Sequence, residues 1–138
     1  MKIMISACLL GENCKYNGGN NYNEKVMKYI KGHEVIAVCP EVLGGLPIPR
    51  VPSEIVNGIV TTKDGRDVDS EFRTGAKIAL EKALEEKVDL VILQSRSPSC
   101  GVKQIYDGSF SGNKIVGQGI FAKLLKENNF CMIDIEDL

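Results

Sequence analysis

The side chains with most chemical capacity in this chain are its thiols: Cys8, Cys14, Cys39, Cys100 and Cys131. Their number is odd and no secretory signal precedes them, so a disulfide framework is disfavoured. In a reducing compartment, metal binding or catalysis is the better expectation. Zinc commonly shows paired Cys-x2-4-Cys spacing, whereas the nearest pair here, Cys8 and Cys14, has five residues between. Sulfur-only ligation from loops suits an iron–sulfur cluster at least as well, and redox or nucleophilic thiols are the third option. The only histidine, His33, follows Gly32 on a polar turn, so a Cys–His or Ser–His mechanism has no obvious base.

The elements that must position these thiols can be read from the apolar pattern. Lys2–Ala7 is a short buried strand ending at Cys8, and a run of turn formers follows to Asn21. Asn23–Ile30 is helical, with Gly32 just past its end. Glu34–Val38 is a second strand running into Cys39-Pro40-Glu41. The prolines of Gly44–Pro52 preclude regular structure there. Glu54–Val60 is a small hairpin or edge strand. Asp69 is the expected N-cap of a long helix from Ser70 to about Lys87, with Phe72, Ala76, Ala79, Leu80, Ala83 and Leu84 as its apolar face. Val88–Leu93 is a third strand, Gly119–Asn128 a helix and Phe130–Ile135 a last strand.

This alternation predicts a single α/β domain over residues 1–138: a mostly parallel, Rossmann-like sheet with helices on both faces. Cys8, Cys39 and Cys100 each follow the carboxyl end of a strand. In parallel sheets those ends share one rim, where ligands bind, so three residues far apart in sequence should converge. Cys14 can reach the same place. Cys131, inside the last strand, reads as a small buried apolar side chain.

Composition narrows the rest. A formal net charge of −1 disfavours extended nucleic acid held on a broad basic surface, though not a local positive pocket for one nucleotide. The longest apolar run, Val88–Leu93, is far short of a membrane span. Ile5-Ser6-Ala7-Cys8 resembles a lipoprotein cleavage site, but too few residues precede Cys8 for a signal, and a cytoplasmic location is expected.

Three stretches resemble, in order, the motifs of the thiouracil desulfidase family: Ser6-Ala7-Cys8-Leu9-Leu10-Gly11-Glu12-Asn13-Cys14, Cys39-Pro40-Glu41 through Arg50-Val51-Pro52-Ser53-Glu54, and Ser97-Pro98-Ser99-Cys100-Gly101 with Tyr106-Asp107-Gly108 after it. The resemblance spans essentially the whole chain. It implies a 4Fe-4S cluster on Cys8, Cys39 and Cys100, with one iron lacking a protein ligand and free to bind the sulfur of a thiocarbonyl. The implied substrate is a small thiolated pyrimidine of the 2-thiouracil or 4-thiouracil type, converted to the carbonyl by non-redox hydrolysis with sulfide release. A 4-thiouridine substrate, free or in RNA, is the alternative within that chemistry; a zinc or redox-sensing module is the alternative outside it.

Glu41 and Ser97 match the positions that the resemblance marks as catalytic. A carboxyl two residues from a ligand can act as general base or shuttle a proton, and burial would raise its pKa. A serine hydroxyl there can donate to a developing oxyanion. The plainer readings are a carboxylate accepting backbone N–H groups and a turn-forming serine, with Ser99 a further turn residue. Cys14 is a replaceable fourth ligand, an auxiliary acid or packing. Arg50 is expected to pair with Glu54, or else to recognise an anion. Gly117–Ile120 opens a helix, and Gly108 and Gly112 serve turns.

Overall fold

A computed structural model describes residues 1–138. Its main sheet joins four parallel strands in the order β2-β1-β5-β8: β1 Lys2–Ser6, β2 Glu34–Val38, β5 Leu90–Leu93 and β8 Met132–Asp134. Ile3, Met4 and Ile5 of β1 are fully buried and alternate between the two faces. Met4, with Val91 and Leu93, packs under the long helix α3 (Asp69–Glu85) and α4 (Ile120–Glu127) through Phe72, Ala76, Ala79, Ala83, Phe121 and Leu125. Ile3 and Ile5, with Leu90 and Ile92, pack on the other face against Val26 of α1 (Glu24–Tyr29), Leu9 and Ile135. Both faces are thus covered, as the unbroken apolar strands require. The chain leaves β1 towards β2 on one side and returns through β5 on the other, so a topological switch point lies at the carboxyl ends of β1 and β5.

Two short antiparallel hairpins close over this rim. One pairs β3 (Ser53–Val56) with β4 (Ile59–Thr62). Its turn is Asn57-Gly58, both at positive φ (50° and 79°), the geometry of a two-residue hairpin loop. The other, β6 (Gln104–Tyr106) with β7 (Lys114–Val116), lies in a stretch whose sequence suggested only turns. A further unforeseen element is the helical turn α2 (Pro40–Leu43), whose Pro40 sits at the first position, where a missing N–H costs nothing.

Three local expectations are corrected. Asp69 does not cap α3; it lies in the first turn, where Oδ1 accepts the Val60 N–H (3.0 Å) and Oδ2 receives Arg73 Nε (2.6 Å). The Asp69 N–H is instead taken by Asp67 Oδ1 at 2.9 Å. Leu84 is half exposed, because it is rotated about 100° from Ala83, the last residue of the buried stripe. Cys131 is exposed rather than buried: it precedes β8, and β8 is an edge strand with solvent on its free side.

Candidate active site

Each cysteine that follows a strand owes its position to a local stop. After β1 the chain turns through a 3-10 segment, Ala7–Leu10, ended by Gly11 at φ 95°. Cys8 sits in this turn. Cys39 follows β2 immediately and precedes α2, which is clamped on α3 by two glycines. A Cβ on Gly75 would lie 1.7 Å from the Pro40 carbonyl oxygen, and one on Gly44 would lie 1.9 Å from that of Glu71. Only glycine permits this backbone approach. Cys100 lies in the loop after β5, where Ser97 Oγ accepts the N–H groups of Ser99 and Cys100, each at 3.0 Å.

These three cysteines and Cys14 line one cavity of about 510 Å3 at the switch point. That volume is within the usual range for a small-molecule site, about 300–1,000 Å3. Glu41, Ser97, Ser6, Asn21 and Tyr106 also face it. The convergence expected from the strand ends is therefore present, and it includes Cys14. His33 is elsewhere, its Nδ1 meeting the amino terminus at 3.0 Å.

The sulfurs differ in electrostatics. Burial pushes the Cys8 thiol up, against a hydrogen bond from Asn21 Nδ2 at 3.4 Å. Burial raises the more deeply buried Cys100 as well, while the neighbouring Ser6 hydroxyl opposes the rise. Cys14 and Cys39 are coupled: Cys39 and burial push the Cys14 thiol up, Cys14 lowers Cys39 to about 7, and Cys39 Sγ meets the Cys14 carbonyl oxygen at 3.9 Å. Charge on Cys8 and Cys39 bears on Cys100, so the three sulfurs are within electrostatic reach of one another. Yet no three Cys, His, Asp or Glu side chains close around the point where one metal ion would sit. A sulfur-only donor set spread around a cavity suits a multi-iron cluster better than a tetrahedral zinc ion, whose ligands must meet at one centre.

Glu41 is largely enclosed and its Oε1 receives Arg50 Nε at 3.1 Å. Burial raises its pKa, and the Arg50 charge and hydrogen bond hold it back. Arg50 also donates to the carbonyls of Cys14 (2.8 Å) and Pro47 (3.3 Å). The expected Arg50–Glu54 pair is not formed. Glu54 instead accepts the N–H groups of Gly108 and Phe110 at 3.0 and 3.1 Å, fixing the β6–β7 hairpin loop beside the cavity. Glu41 therefore takes the arginine, and the plainer reading of Glu41 as a backbone acceptor belongs to Glu54.

Sequence reasoning missed Asn21 as a sulfur partner and Ser6 as a residue of the cavity wall. Ser6 was visible only as the residue opening the Cys8 motif, and Asn21 was hidden by the turn-forming asparagines and glycines around it. Gly119, read as a helix start, is confined by the Ser99 backbone, 2.5 Å from where its Cβ would be.

The family model described as 2-thiouracil desulfurase matches residues 3–137. The chain belongs to the 2-thiouracil desulfurase family. Among its relatives, the uncharacterized protein YbbK of Bacillus subtilis (strain 168) is 39% identical over 146 residues, covering 99% of this chain and 97% of YbbK. The solved structure of the 4Fe-4S-dependent thiouracil desulfidase TudS matches with a TM-score of 0.91 at 38% identity, over 99% of this chain and 92% of that one. The α/β fold with its parallel sheet is thus shared with a desulfidase of known structure. No helix of this chain is long and apolar enough to cross a membrane.

Proposed function

We propose that the protein is a 4Fe-4S-dependent desulfidase that converts the thiocarbonyl of a small thiolated pyrimidine, of the 2-thiouracil or 4-thiouracil type, to the carbonyl with release of sulfide. The observation that carries this reading is the convergence of Cys8, Cys39 and Cys100, from three strand ends, on one cavity that also holds Glu41. Those three thiolates would hold the cluster. When bound, it supplies an iron without a protein ligand, a Lewis acid that polarises C=S and a soft acceptor for the departing sulfur. Glu41 deprotonates the water that adds to the ring carbon; Oε1 is fixed by Arg50, and Oε2 receives the proton. The Ser97 oxygen accepts two backbone N–H groups, which leaves its O–H to donate to the oxygen replacing sulfur. Val51, Pro52, Pro98 and Phe110 wall the cavity and limit water around the ring.

The direct test is sulfide release by anaerobically reconstituted protein. Release from 2-thiouracil or 4-thiouracil is the expected result. Release from 4-thiouridine alone would move the substrate to the nucleoside, and no release from any of them by cluster-loaded protein would refute the reading.

A further inference from the structure

Asn21 is tied twice to Cys8, one of the three cysteines assigned to the cluster: its backbone N–H donates to the Cys8 carbonyl at 2.9 Å, and its Nδ2 donates to Cys8 Sγ at 3.4 Å. Cys39 Sγ, by contrast, meets the backbone carbonyl of Cys14 at 3.9 Å. Asn21 lies outside every strand and helix, and it faces the cavity.

We propose that Asn21 is a positioning residue that sets the electronic state of the cluster by donating a hydrogen bond to the Cys8 sulfur. A donor to a thiolate withdraws negative charge from it, which stabilises the reduced cluster and leaves its irons more electron-poor. The same donor fixes the direction in which that sulfur points. The inference rests on the cluster reading above.

The test is a potentiometric titration of the anaerobically reconstituted full chain, with iron content and circular dichroism measured in parallel. Asn21→Leu keeps the size of the side chain and removes the donor; Asn21→Gln retains an amide. The expected result is a midpoint potential more negative in Asn21→Leu than in wild type, at unchanged iron content, with Asn21→Gln shifted less. Equal potentials in Asn21→Leu and wild type, or equal shifts in Asn21→Leu and Asn21→Gln, would overturn the donor role. If wild-type protein takes up no cluster, the cluster reading fails and this inference with it; wild-type loading with unmoved variants sinks the inference alone.

Discussion

Arg50 Nε stands 3.1 Å from Glu41 Oε1, with the arginine side chain 7% exposed and the carboxylate 18%. So enclosed a pair is more than a surface bridge, because removing one partner strands the other's charge away from water. The guanidinium also ties the Cys14 and Pro47 carbonyls together, so one residue fixes the carboxylate and both loops around it.

That pair predicts a pH response with a definite sign. Burial raises the Glu41 pKa and Arg50 lowers it. A general base works when deprotonated, so kcat/KM should rise with pH through the Glu41 pKa. Arg50→Leu removes the lowering partner and should move this acidic limb upward, by about one unit or more. A limb that stays in place or moves down would show that Glu41 is not the titrating base.

Glu41→Ala should keep the brown colour of the loaded protein and lose turnover by roughly 100- to 10,000-fold, the usual contribution of a positioned base. Visible spectra and sulfide release measured on one sample separate the two effects. Loss of colour as well would make Glu41 a structural residue.

Cys8→Ala, Cys39→Ala and Cys100→Ala should each abolish cluster loading, read as iron per chain after anaerobic reconstitution. Cys131→Ala, on the exposed approach to the edge strand, should load like wild type. A Cys39→Ala protein with full iron content would remove that residue from the ligand set.

The placement of these cysteines was legible because strand ends are: an apolar run followed by Cys8 or Cys39 gives both the strand and the rim. The chemical class came from motif resemblance, since spacing alone left cluster, zinc and free thiols open. Less legible was anything set by long-range partners. Arg50 sits closer in sequence to Glu54 than to Glu41, yet folding puts Glu54 under the backbone of Gly108 and Phe110 and leaves Glu41 to the arginine. Asp69 had the right type for a cap, but a donor from β4 outcompeted its own helix. The β6–β7 hairpin, whose strands are three residues each and bury only Ile105, was too short to show a pattern.

The glycine contact between α2 and α3 carries packing directly to the site. Gly75→Ala would place a methyl group 1.7 Å from the Pro40 carbonyl oxygen, so α2 must move, and Cys39 and Glu41 with it. Overpacking of this kind costs roughly 1–3 kcal/mol. Thermal unfolding should report that loss, and iron content should fall with it. Wild-type stability and loading would show that the clamp does not position the site.

Asp69→Ala should destabilise the fold by about 1–3 kcal/mol, since it leaves the buried Val60 N–H unpaired. Burial pushes the Asp69 pKa up, but hydrogen bonds from Arg73 and Val60 outweigh it and the net shift is downward. Its stabilisation is therefore complete above the ordinary carboxylate pKa of about 3.9 and lost as pH falls below it. Urea unfolding at neutral and acidic pH should show the wild-type advantage over Asp69→Ala shrinking in acid; an advantage independent of pH would contradict the assignment.

The central claim is that three thiolates on one sheet rim hold a cluster, and the most direct measurement is the metal and acid-labile sulfide content of the anaerobically reconstituted wild-type chain. The account predicts brown protein with about four irons and about four sulfides per chain. Colourless protein carrying stoichiometric zinc would contradict it.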